Sequence, residues 1–176
     1  MKSDPPGWLT ATIRRIDAIS SWTGRIVAWL IFPMVGSLVY EVVSRYVFDT
    51  PTEWAYDMTF MLYGTFFMLG AAYTLYHKGH IRTDSFYGAW PVRRQGWVDT
   101  VCYLIFFFPP LIAFFVVTWD YFMRSYELNE RIMTSPWMPV VYPFKGVMPL
   151  ATLLLLLQGV SEFLKSVYAA VKGEWL

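Results

Sequence analysis

The sequence predicts an all-α membrane protein with four transmembrane helices, both termini cytoplasmic, and further segments lying at the membrane surface. Three observations predict it. Hydrophobic residues make up 56% of the 176 positions and charged residues 15%, against about a quarter charged in soluble domains. No charge falls between Met58 and Tyr76 or between Thr100 and Trp119, each run close to the roughly 20 helical residues that cross about 30 Å of hydrocarbon. The runs also lack the alternation of a membrane barrel, and a span in lipid must satisfy its own backbone hydrogen bonds, which leaves helices.

Taken in order, the first run extends from Ile26 to Tyr40 and on past Glu41 to Ser44, the second from Met58 to Tyr76, the third from Thr100 to Trp119 and the fourth from Gly146 to Ser161. With their flanks they predict spans near 24–44, 54–76, 98–121 and 145–168 in a single membrane domain, 1–176. Phe163, Leu164, Val167 and Tyr168 extend the fourth while Glu162 and Lys165 face a headgroup or a partner. Lys2, Arg14, Arg15 and Arg25 precede the first run, that run exceeds a signal core, and no small-x-small cleavage site follows it. The segment is therefore expected to be retained. Leu9, Ile13, Ile16 and Ile19 recur at near-helical spacing, so Pro5 to Ser21 reads either as an amphipathic surface helix or as a frayed basic lead.

Four spans put both termini on one side, and the basic residues then divide unevenly. Lys2, Arg14, Arg15, Arg25, Lys78, Arg82, Arg93, Arg94, Lys165 and Lys172 share the side of the termini; Arg45, Arg124, Arg131 and Lys145 lie opposite. The positive-inside rule places the termini in the cytoplasm. Glu41, Asp49, Glu53, Asp57, Asp120, Glu127 and Glu130 then lie outside. The 77–99 connection mixes Phe86, Tyr87, Trp90 and Trp97 with Arg82, Arg93 and Arg94, as expected of a chain in the headgroup layer beside anionic phospholipid. Pro136, Pro139 and Pro143 forbid a regular helix there, so the stretch from Ser135 is expected to run extended along the interface. Pro149 is expected in the first turn of the last span, where amides lack helical partners. Pro109-Pro110 in the middle of span three predicts a kink.

Glu41 and Arg45 stand one helical turn apart near the end of span one. An ion in a span is a functional candidate by default. Either Glu41 faces another membrane subunit, or Arg45 snorkels to phosphates while Glu41 neutralises it. Glu53 and Asp57 repeat the spacing around Trp54, and Thr52 ahead of them reads as a hydroxyl cap with acids suiting the positive helix end. Capping accounts for Glu53; Asp57, one turn deeper, is a candidate docking contact. No ionisable residue continues a proton relay through spans two and three. His77 and His80 both sit on a connection and cannot project into a bundle core as haem ligands. Zinc would need two more ligands, and only Asp84 is near. The lone cysteine, Cys102, reads as an apolar filler. No phosphate-binding glycine loop or dinucleotide motif occurs, and a net charge of +1 gives no basis for nucleic-acid binding. The sequence thus predicts no enzyme and no cofactor or metal. It also lacks the paired internal repeats and broken spans of a complete carrier. Gly24 with Ala28, and Gly70 with Ala71 and Ala72, are candidates for close helix approach.

Arg45, then Pro51 with Trp54 and Asp57, Gly70-Ala71-Ala72, Gly79-His80-Ile81-Arg82-Thr83-Asp84, and finally Trp137, Tyr142 and Pro149 resemble the small, DctQ-like membrane subunit of tripartite ATP-independent periplasmic (TRAP) transporters. Asp57 stands where many relatives carry glutamate. The resemblance implies an accessory small permease subunit in a bacterial inner membrane, bracing a large TRAP membrane subunit that moves an organic acid with sodium after a periplasmic substrate-binding protein captures it. It implies that Glu41, Arg45, Glu53, Trp54 and Asp57 are outer-side contacts for the large subunit, the binding protein or lipid, and that His80, Arg82 and Asp84 anchor the inner side. Two other readings are a four-helix redox anchor, which would be coloured, and a self-sufficient homo-oligomeric channel, which would conduct solute alone.

Overall fold

A computed structural model describes residues 5–78 and 87–176. Its described elements are helices α1 (Gly7–Ala28), α2 (Ile31–Tyr46), α3 (Ala55–Tyr76) and α4 (Val92–Cys102), a π-helical turn (Tyr103–Phe107), α5 (Phe108–Glu127) and α6 (Tyr142–Lys172). Four runs are long and apolar enough to cross a membrane: α1 with α2, α3, α4 through α5, and α6. The α1–α2 run has 40 residues, about 60 Å of helix and twice a hydrocarbon layer. Arg14, Arg15, Asp17 and Arg25 lie in its first half and only Glu41 and Arg45, near its far end, in the second; the charge-free stretch Ile26–Tyr40 lies between them, so the crossing falls to the second half.

Helix α6 is the axis of the bundle. It packs against α1, α3, α4 and α5, whereas α2 packs chiefly on α3. The buried face of α6 is built of small and polar residues, among them Ala151, Gly159, Ser161, Ser166, Ala169 and Ala170. Lipid supplies no hydrophobic force between helices, so close approach of small surfaces and interhelical hydrogen bonds must hold them. The tightest approach of backbone to backbone at a glycine is Gly96 of α4 against α6, where a Cβ would come within 2.4 Å of the Ala170 amide nitrogen. Gly159 seats the Phe107 ring and Gly24 the Tyr73 ring. Of the small residues expected to pack, Gly24 and Ala72 do, while Ala28 is exposed and Gly70 borders open space.

Proline explains the irregularities. Ahead of Pro109-Pro110 the chain winds into the π-helical turn, and the Phe108 N–H donates to the Tyr103 carbonyl. The prolines thereby fall in the first turn of α5, where a missing N–H costs least. At α6 the expectation fails by one proline. Pro143 takes the first turn, and Pro149 is a buried interior residue, because the helix begins before the apolar run does. The same helix ends at Gly173, whose φ of 78° and amide bond to the Ala169 carbonyl at 2.8 Å form a left-handed cap.

The α5–α6 connection does not run extended. Ile132 N–H bonds the Pro139 carbonyl at 3.1 Å and Val141 N–H the Glu130 carbonyl at 3.0 Å, closing an antiparallel bridge between Arg131 and Val140. The prolines exclude a helix, as expected, but the backbone groups between them find partners by folding back on one another.

Gly96→Leu should force α4 away from α6 and lower unfolding stability in detergent by about 1–3 kcal/mol. Gly70→Ala should leave the thermal midpoint unchanged within error, and an equal loss in both variants would refute the packing argument.

Candidate partner interface

At the α2–α3 turn the chain closes on the Glu41 carboxylate. Glu41 is buried; one oxygen accepts from Arg45 Nε at 2.9 Å and from the Arg45 Nη2 group, and the other accepts from the Thr52 amide at 3.0 Å and the Thr52 hydroxyl. Ser44 Oγ donates to the Thr50 carbonyl at 2.6 Å, and the Thr50 amide to the Ser44 carbonyl at 3.0 Å. Thr52 therefore does not cap α3, which starts at Ala55 with no side-chain cap hydrogen bond. The reason is position: the residue at the N-cap is Trp54, two places past Thr52, and Asp57 in the first turn of α3 complements the helix dipole.

The neighbouring α5–α6 connection is tied down at two points. Ser135 Oγ donates to Asp57, fastening the connection to α3, and Lys145 Nζ donates to Glu130. The Lys145 ammonium also lies 3.9 Å from the Tyr121 ring centroid. Its hydrogen bond holds the Glu130 carboxyl below the usual carboxylate range.

What remains outward here is specific. Glu53 is exposed, Trp54 is half-buried with its ring 5.6 Å from Tyr40, and the Arg45 side chain keeps 52% of its surface. Between α2 and α3 runs a groove of about 400 Å³, apolar along Val35, Leu38 and Phe60, with Glu41 and Arg45 among its lining. Only Ser37 and Glu41 of α2 are buried, so nearly the entire apolar surface of this helix faces outward.

Toward the other end of the bundle lies a cluster that sequence reasoning missed. Asp17 of α1 accepts from three α6 side chains: Gln158 Nε2 at 3.0 Å, Ser161 Oγ at 2.7 Å and Lys165 Nζ at 2.9 Å. Ser20 Oγ donates to Gln158 Oε1 at 2.6 Å, and Lys165 Nζ also donates to Glu162 at 2.7 Å. Lys165 and Glu162 thus face α1, not a headgroup or partner. The buried face of α1 is Leu9, Ile13, Ser20, Gly24 and Val27, while Ile19 is exposed. Counting only apolar positions hid this register. The available signal was polar spacing: Asp17 and Ser20 are three apart, and Gln158, Ser161, Glu162 and Lys165 recur at helical intervals. Pro5 to Ser21 is thus largely helix, packed on α3 and α6.

His77 sets its ring edge-on to Tyr73 and Tyr76, at 4.4 Å and 4.8 Å. His80, Arg82 and Asp84 lie outside the described residues. Among the described residues, no group of three or more His, Cys, Asp or Glu is placed to hold a metal.

The sequence profile of the tripartite ATP-independent periplasmic transporters, DctQ component, matches residues 34–168. The chain belongs to the DctQ family. It is therefore a TRAP transporter small permease component and a multi-pass membrane protein, not an enzyme. Proteins of the DctQ family work with a large TRAP membrane subunit and a periplasmic binding protein. Neither a curated protein nor a solved structure matches the chain. The matched region begins within α2 and ends within α6, so the DctQ match covers the α6 half of the Asp17 cluster and not Asp17 itself.

Asp17→Ala should strip Lys165, Gln158 and Ser161 of their shared acceptor and cost about 3–5 kcal/mol in detergent unfolding, as for a buried ion pair broken on one side; the exposed Arg25→Ala should stay within about 0.5 kcal/mol of the parent. A separate expectation follows from Glu130. Its lowered native pKa contributes stability above the ordinary carboxylate range, lost as pH falls through the lowered value. Amide exchange at Val141, corrected for intrinsic rate, should accelerate on acidification in the parent but show no such step in Glu130→Gln.

Proposed function

We propose that the chain is the stationary small subunit of a sodium-coupled, binding-protein-dependent TRAP transporter for organic acids in the bacterial inner membrane, and that it braces the large membrane subunit. The observation that carries this reading is the DctQ match laid over a bundle whose irregular segments are tied down by polar contacts. Such contacts, costly to break in a low-dielectric setting, hold the chain as one rigid unit that keeps its shape while a partner moves beside it. A fixed partner lets the large subunit move productively. Phe, Tyr and Trp at 20% of the chain supply interfacial anchors against vertical displacement.

In this reading the termini are cytoplasmic, by the excess of Lys and Arg on their side. The exposed Arg45 and Glu53 and the half-buried Trp54, with the apolar face of α2, contact the large subunit or the binding protein on the periplasmic side. Glu41 and Asp57 act one step back: their carboxylates are engaged by Arg45 and Thr52 and by Ser135, so they hold the shape of the surface. His80, Arg82 and Asp84 are assigned to anchoring the inner side, to a partner or to lipid.

Proteoliposomes containing the large subunit and supplied with binding protein test the proposal. Omitting this chain should reduce sodium-driven organic-acid uptake to background without altering acid affinity of the binding protein, and Arg45→Glu should weaken co-purification with the large subunit. Full uptake by the large subunit alone, or solute flux through this chain by itself, would refute it.

A further inference from the structure

Helices α3 and α5 both pack on α6 and leave between them a groove that the bundle does not fill. Its lower part, of about 590 Å³, is lined by Leu75, Phe107, Leu111, Phe114 and Leu155, with Lys78 contributing the sole charged side chain among the described residues. A further part of about 230 Å³ shares Leu111, Phe114 and Leu155 and continues to Phe67. From Phe67 to Lys78 the helical rise gives a length of roughly 16 Å, half of a hydrocarbon layer of about 30 Å.

The end of this groove is cationic. Lys78 follows α3 with φ 53°, its amide donating to the Leu75 carbonyl at 3.0 Å. Its ammonium stands 5.2 Å from the Trp175 ring centroid, which holds one side of the cation; among the described residues no acid pairs with it. An apolar channel one leaflet long, ending in an amine at headgroup depth, is the complement of a phospholipid. A partner helix fits worse, because at 10–12 Å across it would ride on the rim without entering, and Lys78 would need an acid from it.

We propose that this groove is a binding site for a glycerophospholipid with an anionic headgroup, one acyl chain lying along α3, α5 and α6 and the phosphate at Lys78. The lipid supplies packing that α3 and α5 do not give each other, and the π-helical turn at Tyr103–Phe107 shapes the wall by aiming Phe107 between α6 and the groove.

A phosphatidylglycerol carrying a photoreactive diazirine on one acyl chain, diluted into phosphatidylcholine vesicles holding the full chain with the large subunit, tests this directly. Illumination and peptide mass spectrometry should place label on residues 103–114 and 148–155 above the exposed faces of α2. Lys78→Ala should lower that labelling about fivefold, the weight of one lysine at an anionic surface. Leu111→Trp and Leu155→Trp, filling the groove from opposite walls, should each abolish it with helical circular dichroism retained. Even labelling over all apolar faces, labelling unchanged in Lys78→Ala, equal labelling by a diazirine phosphatidylcholine, or groove labelling seen only when the large subunit is absent would each overturn the assignment.

Discussion

The contact on which the rest depends is the close approach of four other helices to α6. In water a bundle can rely on burying leucine; in lipid the surroundings are as apolar as the core, and only fit and polar pairing favour helix contact. That is why the buried residues of α6 are mostly alanine, glycine, serine, threonine and glutamine, joined by Lys145, Pro149 and Glu162, while large aliphatic and aromatic side chains such as Phe106, Val117 and Leu150 point outward. Gly24, Gly64, Gly96 and Gly159 are points where a Cβ would collide with backbone or ring. The bundle is inside-out relative to a soluble one by composition, yet packed by the same contact geometry.

Polar residues then specify which small surface meets which. Asp17 with Ser161 and Lys165 fixes α1 on α6, Glu41 with Thr52 fixes the α2–α3 turn, and Asp57 with Ser135 fixes the α5–α6 connection on α3. Each joins segments far apart in sequence or turns a short link rigid. An acid left without its donor in such surroundings would be costly, so these ties discriminate strongly between the native register and a slipped one.

This arrangement bears on the proposed role. The chain spends its ionisable residues on holding itself together, and the described spans carry no continuous chain of titratable groups through which ions would pass. Its outward surfaces are of two kinds: the apolar face of α2 beside Arg45, suited to a protein partner, and the α3–α5 groove ending in Lys78, suited to lipid. A subunit that works by staying in place needs both, since one joins it to the moving part and the other to the membrane.

Much of this was legible in the amino-acid sequence because it rests on local quantities. Charge-free length, the absence of strand alternation and the proline positions determined an all-helical protein with four membrane-competent runs, and the Glu41–Arg45 pair could be named because its members are one turn apart. The motif order from Arg45 to Pro149 likewise pointed to the DctQ family. What the tertiary structure alone decided was where each polar group finds its partner. Thr52 turned from capping α3 to binding Glu41, Lys165 turned from the surface to Asp17 and Glu162, and the segment between Glu130 and Val141 folded back when an extended path was expected. In each case the competing partner lies on another segment, and the choice is set by a distance in space that linear spacing does not contain.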